Sequence, residues 1–256
     1  MTIDPNKIVE DYCRNWDGVT PYAKATIVHT EGATAAKAGA KAVVTSSGEL
    51  IGWIGGGCLR GAVLRAARQA MDATTPKFIR IRPKEDIAGP RDADGVELYP
   101  SGCPSKGRAD VFIEPVLPKP PLIIIGASQI AHAVADLGSC LNVRIVPVSG
   151  DLAALQPPLE RQAGIERGFI IIATQGVGDL AALKAALATN VSYISFVGST
   201  SKVKALRERL MADGVPESSL ARLRAPAGLD IGAKTPAEIA ISILAEIIKV
   251  HRTAES

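Results

Sequence analysis

The residues of this chain best suited to chemistry stand together in one glycine-rich stretch, Gly52-Trp53-Ile54-Gly55-Gly56-Gly57-Cys58. An apolar segment typical of a strand runs into three consecutive glycines, and a cysteine and a helix-forming sequence follow them. Glycines let the backbone turn sharply and aim several N–H groups at one spot, and a helix that begins at about Cys58 adds the positive end of its dipole. The stretch therefore predicts an anion site that also holds a thiol. A strand-to-helix turn with a buried, inert cysteine would use the same residues.

A second turn, Gly126-Ala127-Ser128-Gln129-Ile130-Ala131, follows an apolar segment and opens a predicted helix, which is the setting of a dinucleotide-binding fingerprint. It departs from that fingerprint because Ser128 and Ala131 replace the second and third glycines, and the second glycine lets a pyrophosphate approach the backbone. The strand that ends at Val148 also lacks the acidic residue that would hold the ribose hydroxyls, since Asp151 comes only beyond it. We therefore expect another phosphate-bearing ligand here rather than NAD(P), with an empty structural turn as the alternative.

Two more turns, Thr174-Gln175-Gly176 and Gly198-Ser199-Thr200-Ser201-Lys202, each follow a predicted strand. Open α/β sheets bind their ligands outside the carboxyl ends of the strands. The hydroxyls and the lysine of the second turn suit a phosphate at a helix N-terminus, although plain helix capping explains the hydroxyls equally well. Cys103 stands between a glycine and a proline in a polar segment and is the second thiol of interest.

Composition and charge limit the classes of protein to which this chain can belong. The chain has 256 residues, of which 47% are hydrophobic and 21% charged, and this is ordinary for a soluble globular protein of one large domain or two. Its net charge of +3 and its 4% aromatic content argue against nucleic-acid partners. We expect neither a signal peptide nor a membrane span. Four widely separated cysteines and three isolated histidines indicate no zinc site, disulfide framework or catalytic triad, so we expect a cytoplasmic protein.

Hydrophobic patterning divides the chain into two predicted domains, 1–117 and 118–256. In the first, we expect a helix over 5–17, a helix from about Cys58 to about Met71, and strands over 23–30, 40–45, 49–54, 77–82 and 110–114. Residues 83–109 are polar and rich in turn formers, which predicts a loop. The prolines between 115 and 121 predict a stiff linker at the domain boundary. The first domain is therefore expected to be a mixed α/β domain.

The second half alternates strands and helices, which is typical of a Rossmann-like, doubly wound parallel sheet. A final helix is indicated by Thr235-Pro236-Ala237-Glu238, which supplies a cap, a first-turn proline and a glutamate three residues after the cap. Strands are predicted over 122–125, 143–148, 169–174 and 193–197, and further helices from the turn at Gly126 to about Gly138, over 178–188 and over 201–212.

Several motifs occur in the order of a known protein family. In the first half they are Ala25-Thr26-Ile27-Val28, Gly39-Ala40-Lys41 and the glycine-rich stretch that ends at Cys58. In the second half they are Gly126-Ala127-Ser128, Thr174-Gln175-Gly176-Val177-Gly178-Asp179, Val197-Gly198-Ser199, residues 225–232 and Thr235-Pro236-Ala237-Glu238-Ile239-Ala240. Over nearly its whole length the chain resembles the XdhC/CoxI family. The resemblance implies an N-terminal XdhC/CoxI domain followed by a Rossmann-like XdhC C-terminal domain.

Members of that family act in the maturation of molybdenum hydroxylases such as xanthine dehydrogenase and CO dehydrogenase. The resemblance implies a chaperone, not a turnover enzyme, that binds the molybdenum cofactor (molybdopterin) transiently. It implies that this maturation factor assists sulfuration of the cofactor with a cysteine desulfurase, hands it to the apoenzyme and forms a homodimer. The Thr-Gln-Gly-x-Gly-Asp motif is nearer the CoxI-like branch, which favours a client of the CO-dehydrogenase type. One alternative is an NAD(P)-dependent oxidoreductase built on the Rossmann-like half. Another is a purely structural adaptor between the desulfurase and the apoenzyme, in which both glycine turns would stay empty.

The same resemblance makes Cys58 the leading candidate for contact with the metal of the cofactor or with its sulfur. A pterin cofactor carries a phosphate and a dithiolene, so its carrier needs oriented N–H donors and a soft thiolate. Because the carrier must release the cofactor, a permanent cage of several cysteines is not expected. One departure from typical members is the short segment from Asp151 to Gly168. The candidate cofactor-binding residues are Gly55, Gly56, Gly57, Cys58, Cys103, Gly126, Ser128, Gln129, Thr174, Gln175, Gly198 and Ser199.

Overall fold

The structure is a computed structural model, and it describes residues 4–102, 104, 106–150, 159, 162 and 164–254. The chain divides into two compact units, Met1–Pro118 and Lys119–Ser256, which we call unit 1 and unit 2. The candidate residue Cys103 and most of the segment 151–168 lie outside the described residues. Within the described ranges, no helix combines the length and the apolar character that crossing a membrane requires.

Unit 1 is a mixed α/β unit built on a six-stranded sheet with the strand order β3-β2-β1-β6-β4-β5. Strands β4 and β5 are parallel, and the other neighbours are antiparallel. The strands are β1 (Tyr22–Glu31), β2 (Lys41–Thr45), β3 (Leu50–Gly52), β4 (Lys77–Pro83), β5 (Glu97–Ser101) and β6 (Arg108–Val116). The helices described are α1 (Pro5–Arg14), α2 (Gly57–Ala73) and a short 3-10 helix at Lys84–Asp86.

Helix α2 packs closely on one face of this sheet because its inward positions carry small or branched apolar residues. Ala62, Val63, Ala66, Ala67 and Ala70 are buried there against the strands. Alanine is also the strongest helix former, so the same residues favour both the helix and its close packing. Helix α1 covers the opposite face, where Val9 packs with residues of β1 and β2.

Two predictions for unit 1 are wrong. Residues 83–109 do not form one loop, because β5 pairs with β4 after a turn in which the Asp92 carboxylate accepts two backbone N–H groups. The predicted linker over 115–121 is wrong at both ends, since β6 continues to Val116 and the next strand begins at Pro121, although the boundary between the units does fall within it, after Pro118. Strand β4 pairs with β6 only as far as Ile113, so Pro115 lies opposite a single strand, which is a position that prolines tolerate.

Unit 2 contains the predicted parallel sheet, with the order β11-β10-β9-β7-β8. If β7 is counted as strand 1 and the sheet is read from β8, the order is 2-1-3-4-5. The topological switch point therefore lies between β7 and β9. The strands are β7 (Pro121–Ile125), β8 (Arg144–Val148), β9 (Phe169–Ile172), β10 (Tyr193–Phe196) and β11 (Leu223–Arg224). The described helices are α3 (Gln129–Gly138), α4 (Asp179–Ala188), α5 (Thr200–Ala212), α6 (Glu217–Leu220), α7 (Pro236–Ala254) and a 3-10 helix at Ile165–Arg167.

Both faces of this sheet are covered, and this explains why its strands are continuous apolar runs. Ile123 and Ile170 pack with residues of α4 and α5 on one face. Leu122 and Ile171, which alternate with them, pack with residues of α3 and α7 on the other. Burying one such side chain contributes about 1.5–3 kcal/mol, so the central strands provide much of the stability of unit 2.

The start of α7 has the predicted capping arrangement. The carboxylate of Glu238 accepts the backbone N–H groups of Lys234 and Thr235 at 2.8 and 2.9 Å, and the Thr235 hydroxyl accepts the N–H of Glu238 at 3.3 Å. The two backbone N–H groups hold the pKa of the Glu238 carboxyl below its ordinary value. The capped turn fixes where the chain leaves the long loop before α7 and enters the helix.

Candidate functional site

The glycine-rich turn of unit 1 joins β3 to α2. Strand β3 ends at Gly52, where φ is +95° and a Cβ would meet the Val9 side chain and the Lys41 carbonyl oxygen. Gly55 has a φ of +111°, and a Cβ there would lie 3.1 Å from the side chain of Ala36. The fold itself therefore requires glycine at positions 52 and 55.

Gly56 and Gly57 differ from those two glycines. Gly56 is the N-cap of α2 with φ −73° and ψ 177°, and Gly57 is its first residue, so other residues fit both backbone conformations. No atom of the residues that the structure describes lies within 4 Å of a Cβ built at either position. The open space above them, the N-terminal amides of α2 and the exposed thiol of Cys58 lie side by side. The alternative of a buried cysteine is wrong, and binding of an anion at this turn stays a prediction.

Several loops of unit 1 meet at the same edge of its sheet. The pairing registers bring the end of β3, the end of β1 and the start of β6 to this edge. The loop after β1 touches the glycine-rich turn through Ala36, and it touches Gly107 through Ala33 and Thr34. A Cβ at Gly107 would lie 2.7 Å from the Ala33 carbonyl oxygen, so these two segments are in direct backbone contact.

The charged residues at this edge form pairs with one another. The Arg108 guanidinium contacts the carboxylates of Glu31 at 3.2 Å and Asp86 at 2.8 Å. The Lys106 ammonium contacts the Glu85 carboxylate at 2.8 Å, which raises the pKa of Lys106 and lowers the pKa of Glu85. These five residues line a shallow cavity of about 260 Å³. Because both cations already face carboxylates, they add little free positive charge to the edge.

In unit 2, three predicted turns follow the carboxyl ends of neighbouring strands β7, β9 and β10. Gly126 has a φ of +115°, and a Cβ there would lie 2.5 Å from the Ala173 carbonyl oxygen, so glycine is needed for β7 and β9 to approach each other. Ser128 is buried and caps α3 by accepting the Ala131 N–H at 3.0 Å, and Gln129 is the first residue of the helix. The structure thus brings the turns after β7 and β9 together at the switch point, and the turn after β10 lies next to them, but the Ser128 hydroxyl serves the fold.

The turn after β9 is organised around a buried carboxylate that the sequence analysis did not select. Asp179 accepts the Thr174 hydroxyl and the Gly176 N–H, and its other oxygen lies 2.5 Å from the Lys202 ammonium. Although burial opposes ionisation, hydrogen bonds from Lys202 and Thr174 hold the pKa of Asp179 below its ordinary value. Gln175 is exposed in the left-handed region at φ +53°. The sequence did contain a signal, because Asp179 closes the Thr174–Asp179 motif.

The turn after β10 packs on an aromatic ring. A Cβ at Gly198 would lie 2.5 Å from the ring of Phe196, and the Lys202 ammonium lies 5.5 Å from the centroid of the same ring. Ser199 caps α5, where its hydroxyl accepts the Lys202 N–H at 3.4 Å. The plain capping role considered for these hydroxyls therefore applies to Ser199.

A cavity of unit 2 lies beside this turn, and the sequence analysis missed most of its lining. Its volume is about 600 Å³. The lining residues are Val197, Gly198, Pro226, Ala227, Gly228, Leu229, Asp230, Ile231, Gly232, Ala233, Ile239 and Ser242. Of the candidate residues only Gly198 is among them. The missed signal was the glycine-rich and apolar segment 225–232, which sequence analysis used only as a marker of family.

Among the described residues, no group of three or more histidine, cysteine, aspartate or glutamate side chains could hold a metal ion. The first turn of α2 offers a single thiol instead. One thiol does not make the closed set of four ligands that structural zinc sites use, and contact of Cys58 with a metal stays a prediction.

Comparison with known proteins gives the family. The sequence profile described as "XdhC and CoxI family" matches residues 16–82, and the profile described as "XdhC Rossmann domain" matches residues 122–247. The chain belongs to the XdhC/CoxI family. The first match contains the glycine-rich turn of unit 1, and the second contains the three turns and the cavity of unit 2. The predicted XdhC/CoxI resemblance is confirmed.

Individual relatives agree with this family. The chain is 31% identical over 251 residues to "Uncharacterized protein YqeB" of Escherichia coli strain K12, covering 91% of this chain and 44% of that protein. It is 29% identical over 160 residues to a probable xanthine dehydrogenase subunit of Bacillus subtilis strain 168, covering 56% of this chain and 46% of that protein. The chain thus spans less than half the length of either curated relative.

A solved structure is also similar over most of the chain. It is described as a xanthine dehydrogenase from Bacillus halodurans and shares 19% identity. The alignment covers 98% of this chain and 96% of that chain, with a TM-score of 0.44.

Proposed function

We propose that this XdhC/CoxI-family chain is an accessory protein that carries the molybdenum cofactor to a molybdenum hydroxylase, without a reaction of its own. The observation that carries the proposal is the start of α2. Gly56 and Gly57 leave open space where other residues would fit, and Cys58 is exposed beside them. A glycine that the fold does not require allows a ligand to approach the backbone.

The N–H groups and the thiol of this turn are the types of group that would bind the phosphate and the metal or sulfur of the cofactor. A phosphate is stabilised by N–H groups and by the positive end of a helix dipole, and both are present at the start of α2. A thiolate is the side chain that soft metals and their sulfur ligands favour, and Cys58 supplies one. A site with one protein thiol and an open side suits a carrier that must give up its cargo, because fewer bonds have to break on release.

The turns of unit 2 form a second set of candidate contacts in the same proposal. Their members are Gly126, Ser128, Gln129, Thr174, Gln175, Gly198 and Ser199. The Ser128 and Thr174 side chains already take part in hydrogen bonds within the unit. Contacts to a phosphate at this edge would therefore come from backbone N–H groups and from the exposed side chain of Gln175.

The client and partners follow from the family in this proposal. The name of the Bacillus subtilis relative refers to xanthine dehydrogenase, which supports a molybdenum hydroxylase as the client. We include in the proposal a client of the CO-dehydrogenase type, assistance in sulfuration with a cysteine desulfurase, and a homodimeric carrier. Titration of the purified chain with the client apoenzyme and with the desulfurase tests these contacts one at a time.

An NAD(P)-dependent oxidoreductase is the competing function, and the geometry of unit 2 argues against it. The buried Ser128 occupies the position where a pyrophosphate needs glycine, and the residues that directly follow β8, Ser149 and Gly150, carry no carboxylate for ribose hydroxyls. The deciding experiment mixes the purified chain with the molybdenum cofactor or with NAD(P) and measures what is retained after gel filtration. We expect pterin and molybdenum to be retained. Micromolar binding of NAD(P) without retention of pterin would overturn the proposal.

A further inference from the structure

A second cavity of unit 2, which we call the Glu246 cavity, has a volume of about 400 Å³. Ligand pockets in proteins commonly have volumes of about 300–1,000 Å³, so a small molecule fits. The lining residues are Arg224, Leu229, Glu246, Lys249, Val250 and Thr253. None of these residues is among the candidate cofactor contacts, and the proposed function leaves the cavity unused.

The second half of α7 forms one wall of the Glu246 cavity. Its four lining residues have the spacing i, i+3, i+4 and i+7, which places them on one side of the helix. The other two lining residues are held on separate elements. Arg224 belongs to β11 and pairs in register with Ser195 of β10, and the N–H of Leu229 donates to the Ser242 carbonyl oxygen at 3.2 Å. The walls are therefore preformed, and a ligand does not have to order a loop when it binds.

The lining contains a buried carboxylate that is only partly hydrogen-bonded. Glu246 is only 9% exposed, and its Oε2 accepts the Gly228 N–H at 3.0 Å and the Tyr193 hydroxyl at 2.6 Å. Its Oε1 accepts no hydrogen bond from the residues that the structure describes, because the Arg224 guanidinium lies 3.8 Å away, which is longer than a hydrogen bond. A buried charge is costly unless its hydrogen-bonding capacity is used. Oε1 therefore has acceptor capacity left for a ligand.

Charges of both signs lie close together in this cavity. The Arg224 guanidinium and Oε1 of Glu246 are 3.8 Å apart. Lys249 follows Glu246 by three residues on the same side of α7, so its ammonium adds a second positive charge. A ligand that is only an anion would be repelled by Glu246, and one that is only a cation would be repelled by Arg224 and Lys249. The lining therefore suits a small molecule that carries both charges a short distance apart.

We propose that the Glu246 cavity binds a free α-amino acid with an apolar side chain. The ammonium and the carboxylate of such a molecule are attached to one carbon, which matches the short distance between the opposite charges of the lining. The ammonium donates to Oε1 of Glu246, and the carboxylate accepts from the guanidinium of Arg224 and the ammonium of Lys249. Leu229 and Val250 supply the apolar surface for the side chain.

The free zwitterion is distinguished from related groups by the same charges. The end of a peptide chain carries only one of the two charges on its terminal residue, so it lacks one half of the recognition. The inference goes beyond the proposed function and does not depend on it, since no residue of the Glu246 cavity takes part in cofactor binding there.

The test is equilibrium dialysis of the purified full-length chain against radiolabelled L-leucine. Unlabelled leucinamide, which lacks the carboxylate, 4-methylpentanoate, which lacks the ammonium, and inorganic phosphate are added as competitors. Arg224→Gln and Glu246→Gln each remove one of the opposed charges, and Thr253→Phe fills the cavity from its lining. Arg68→Gln, at an exposed position on α2, is the matched control for the arginine variant. Urea unfolding checks that each variant is folded.

We expect saturable binding of leucine with a dissociation constant below about 1 mM, and each competitor should bind at least about tenfold more weakly than leucine. Arg224→Gln and Glu246→Gln should weaken leucine by about 10- to 100-fold, the range of a hydrogen bond to a charged group. Thr253→Phe should abolish saturable binding, and Arg68→Gln should match the wild type.

The absence of saturable leucine binding would overturn the inference. Equal competition by phosphate or 4-methylpentanoate would overturn it too, because the cavity would then be a plain anion site. If Glu246→Gln does not fold, Arg224→Gln and Thr253→Phe decide, and wild-type affinity in both would contradict the assignment. Leucine binding by a chain that does not retain the molybdenum cofactor would overturn the proposed function and leave this inference standing.

Discussion

The N–H of Gly228 donates to the buried carboxylate of Glu246 at 3.0 Å, although the two residues lie far apart in the sequence. The same carboxylate oxygen accepts the Tyr193 hydroxyl at 2.6 Å. A strand of the parallel sheet, the loop at the cavity and the last helix are thus held by one side chain. Removing that side chain should loosen all three.

Glu246→Ala is expected to lower the free energy of unfolding by about 2 kcal/mol, because it leaves the buried Tyr193 hydroxyl and the half-buried Gly228 N–H without their acceptor. Glu208→Ala, at an exposed position on α5, serves as the control and should change it by less than about 0.5 kcal/mol. Urea denaturation followed by circular dichroism measures both. Equal losses of unfolding free energy in the two variants would show that the Glu246 contacts stabilise the chain no more than an exposed glutamate does.

Tyr193 should make stability fall at alkaline pH. Burial, and then its hydrogen bond to Glu246, raise the pKa of Tyr193 above the ordinary value near 10. The unfolded chain therefore releases the phenolic proton first, and the free energy of unfolding decreases as the pH rises above about 10. Between about pH 9 and about pH 11 the loss should be smaller in Tyr193→Phe than in the wild type. A loss of the same size in both would contradict the assignment.

Gly228 should tolerate no side chain. Its φ is +94°, and a Cβ would make a hard contact with the Ser242 hydroxyl oxygen. Gly214 has a similar φ of +84°, but within the described part of the chain no atom lies within 4 Å of its Cβ position. Gly214→Ala therefore bears only the backbone strain, about 1–3 kcal/mol, and Gly228→Ala should lose clearly more than that in chemical denaturation. A similar loss in both would mean that the loop wall shifts easily.

The Lys202–Asp179 pair should matter more than a more exposed pair of the same type. Asp179 has a side chain only 7% exposed, whereas the partners Lys184 and Asp213 are 44% and 25% exposed. Lys184→Met should cost no more than about 1 kcal/mol. Lys202→Met should cost about 1–3 kcal/mol, because a buried carboxylate then loses its strongest partner. Equal effects on urea unfolding would argue against a structural role for this pair.

The Lys202–Asp179 pair also predicts that the free energy of unfolding falls at acid pH. Because the pKa of Asp179 is lowered in the folded chain, its contribution to stability is present above the ordinary aspartate pKa near 4 and is lost as the pH falls below it. Asp179→Asn should therefore flatten the fall of the free energy of unfolding between about pH 5 and about pH 3. An unchanged slope in that variant would contradict the lowered pKa.

A substitution at Gly57 should have opposite effects on the stability of the chain and on its binding of the cofactor. Alanine fits at this position without contact and is a better helix former, so Gly57→Ala should raise the free energy of unfolding by up to about 1 kcal/mol. The added methyl group occupies the space beside Cys58, so retention of the molybdenum cofactor should decrease. Gly61→Ala, one turn further along α2, should be equally stable and keep normal retention. Normal retention by Gly57→Ala would show that this glycine is not a ligand contact.

Local sequence patterns predicted the strands and helices that are determined by residues close to them in the sequence. The apolar run of β7 and the capping residues at Thr235 and Glu238 act through neighbours in the chain, so the parallel sheet and the last helix were predictable. Strand β5 was not, because its partner β4 lies across a polar turn organised by the single side chain of Asp92.

The cavity depends on contacts that no local pattern contains. Gly228 needs glycine because Ser242 lies above it, and the loop is fixed by Glu246 on another element. One signal was available, since Glu246 is a carboxylate that falls on the apolar stripe of α7 with Ile243 and Val250. A charged residue at such a position indicates a buried polar contact, but its partners cannot be identified without the fold.

Retention of the molybdenum cofactor by Cys58→Ser tests most directly whether the glycine-rich turn holds it. The purified wild type, Cys58→Ser and Cys140→Ser, a control at another exposed cysteine, are loaded with cofactor, and molybdenum and pterin are measured after gel filtration. The two variants should match the wild type in unfolding free energy within about 0.5 kcal/mol. We predict that Cys58→Ser loses most of the cofactor while Cys140→Ser retains it. Equal retention by Cys58→Ser and the wild type would contradict the assignment of this turn as the cofactor site.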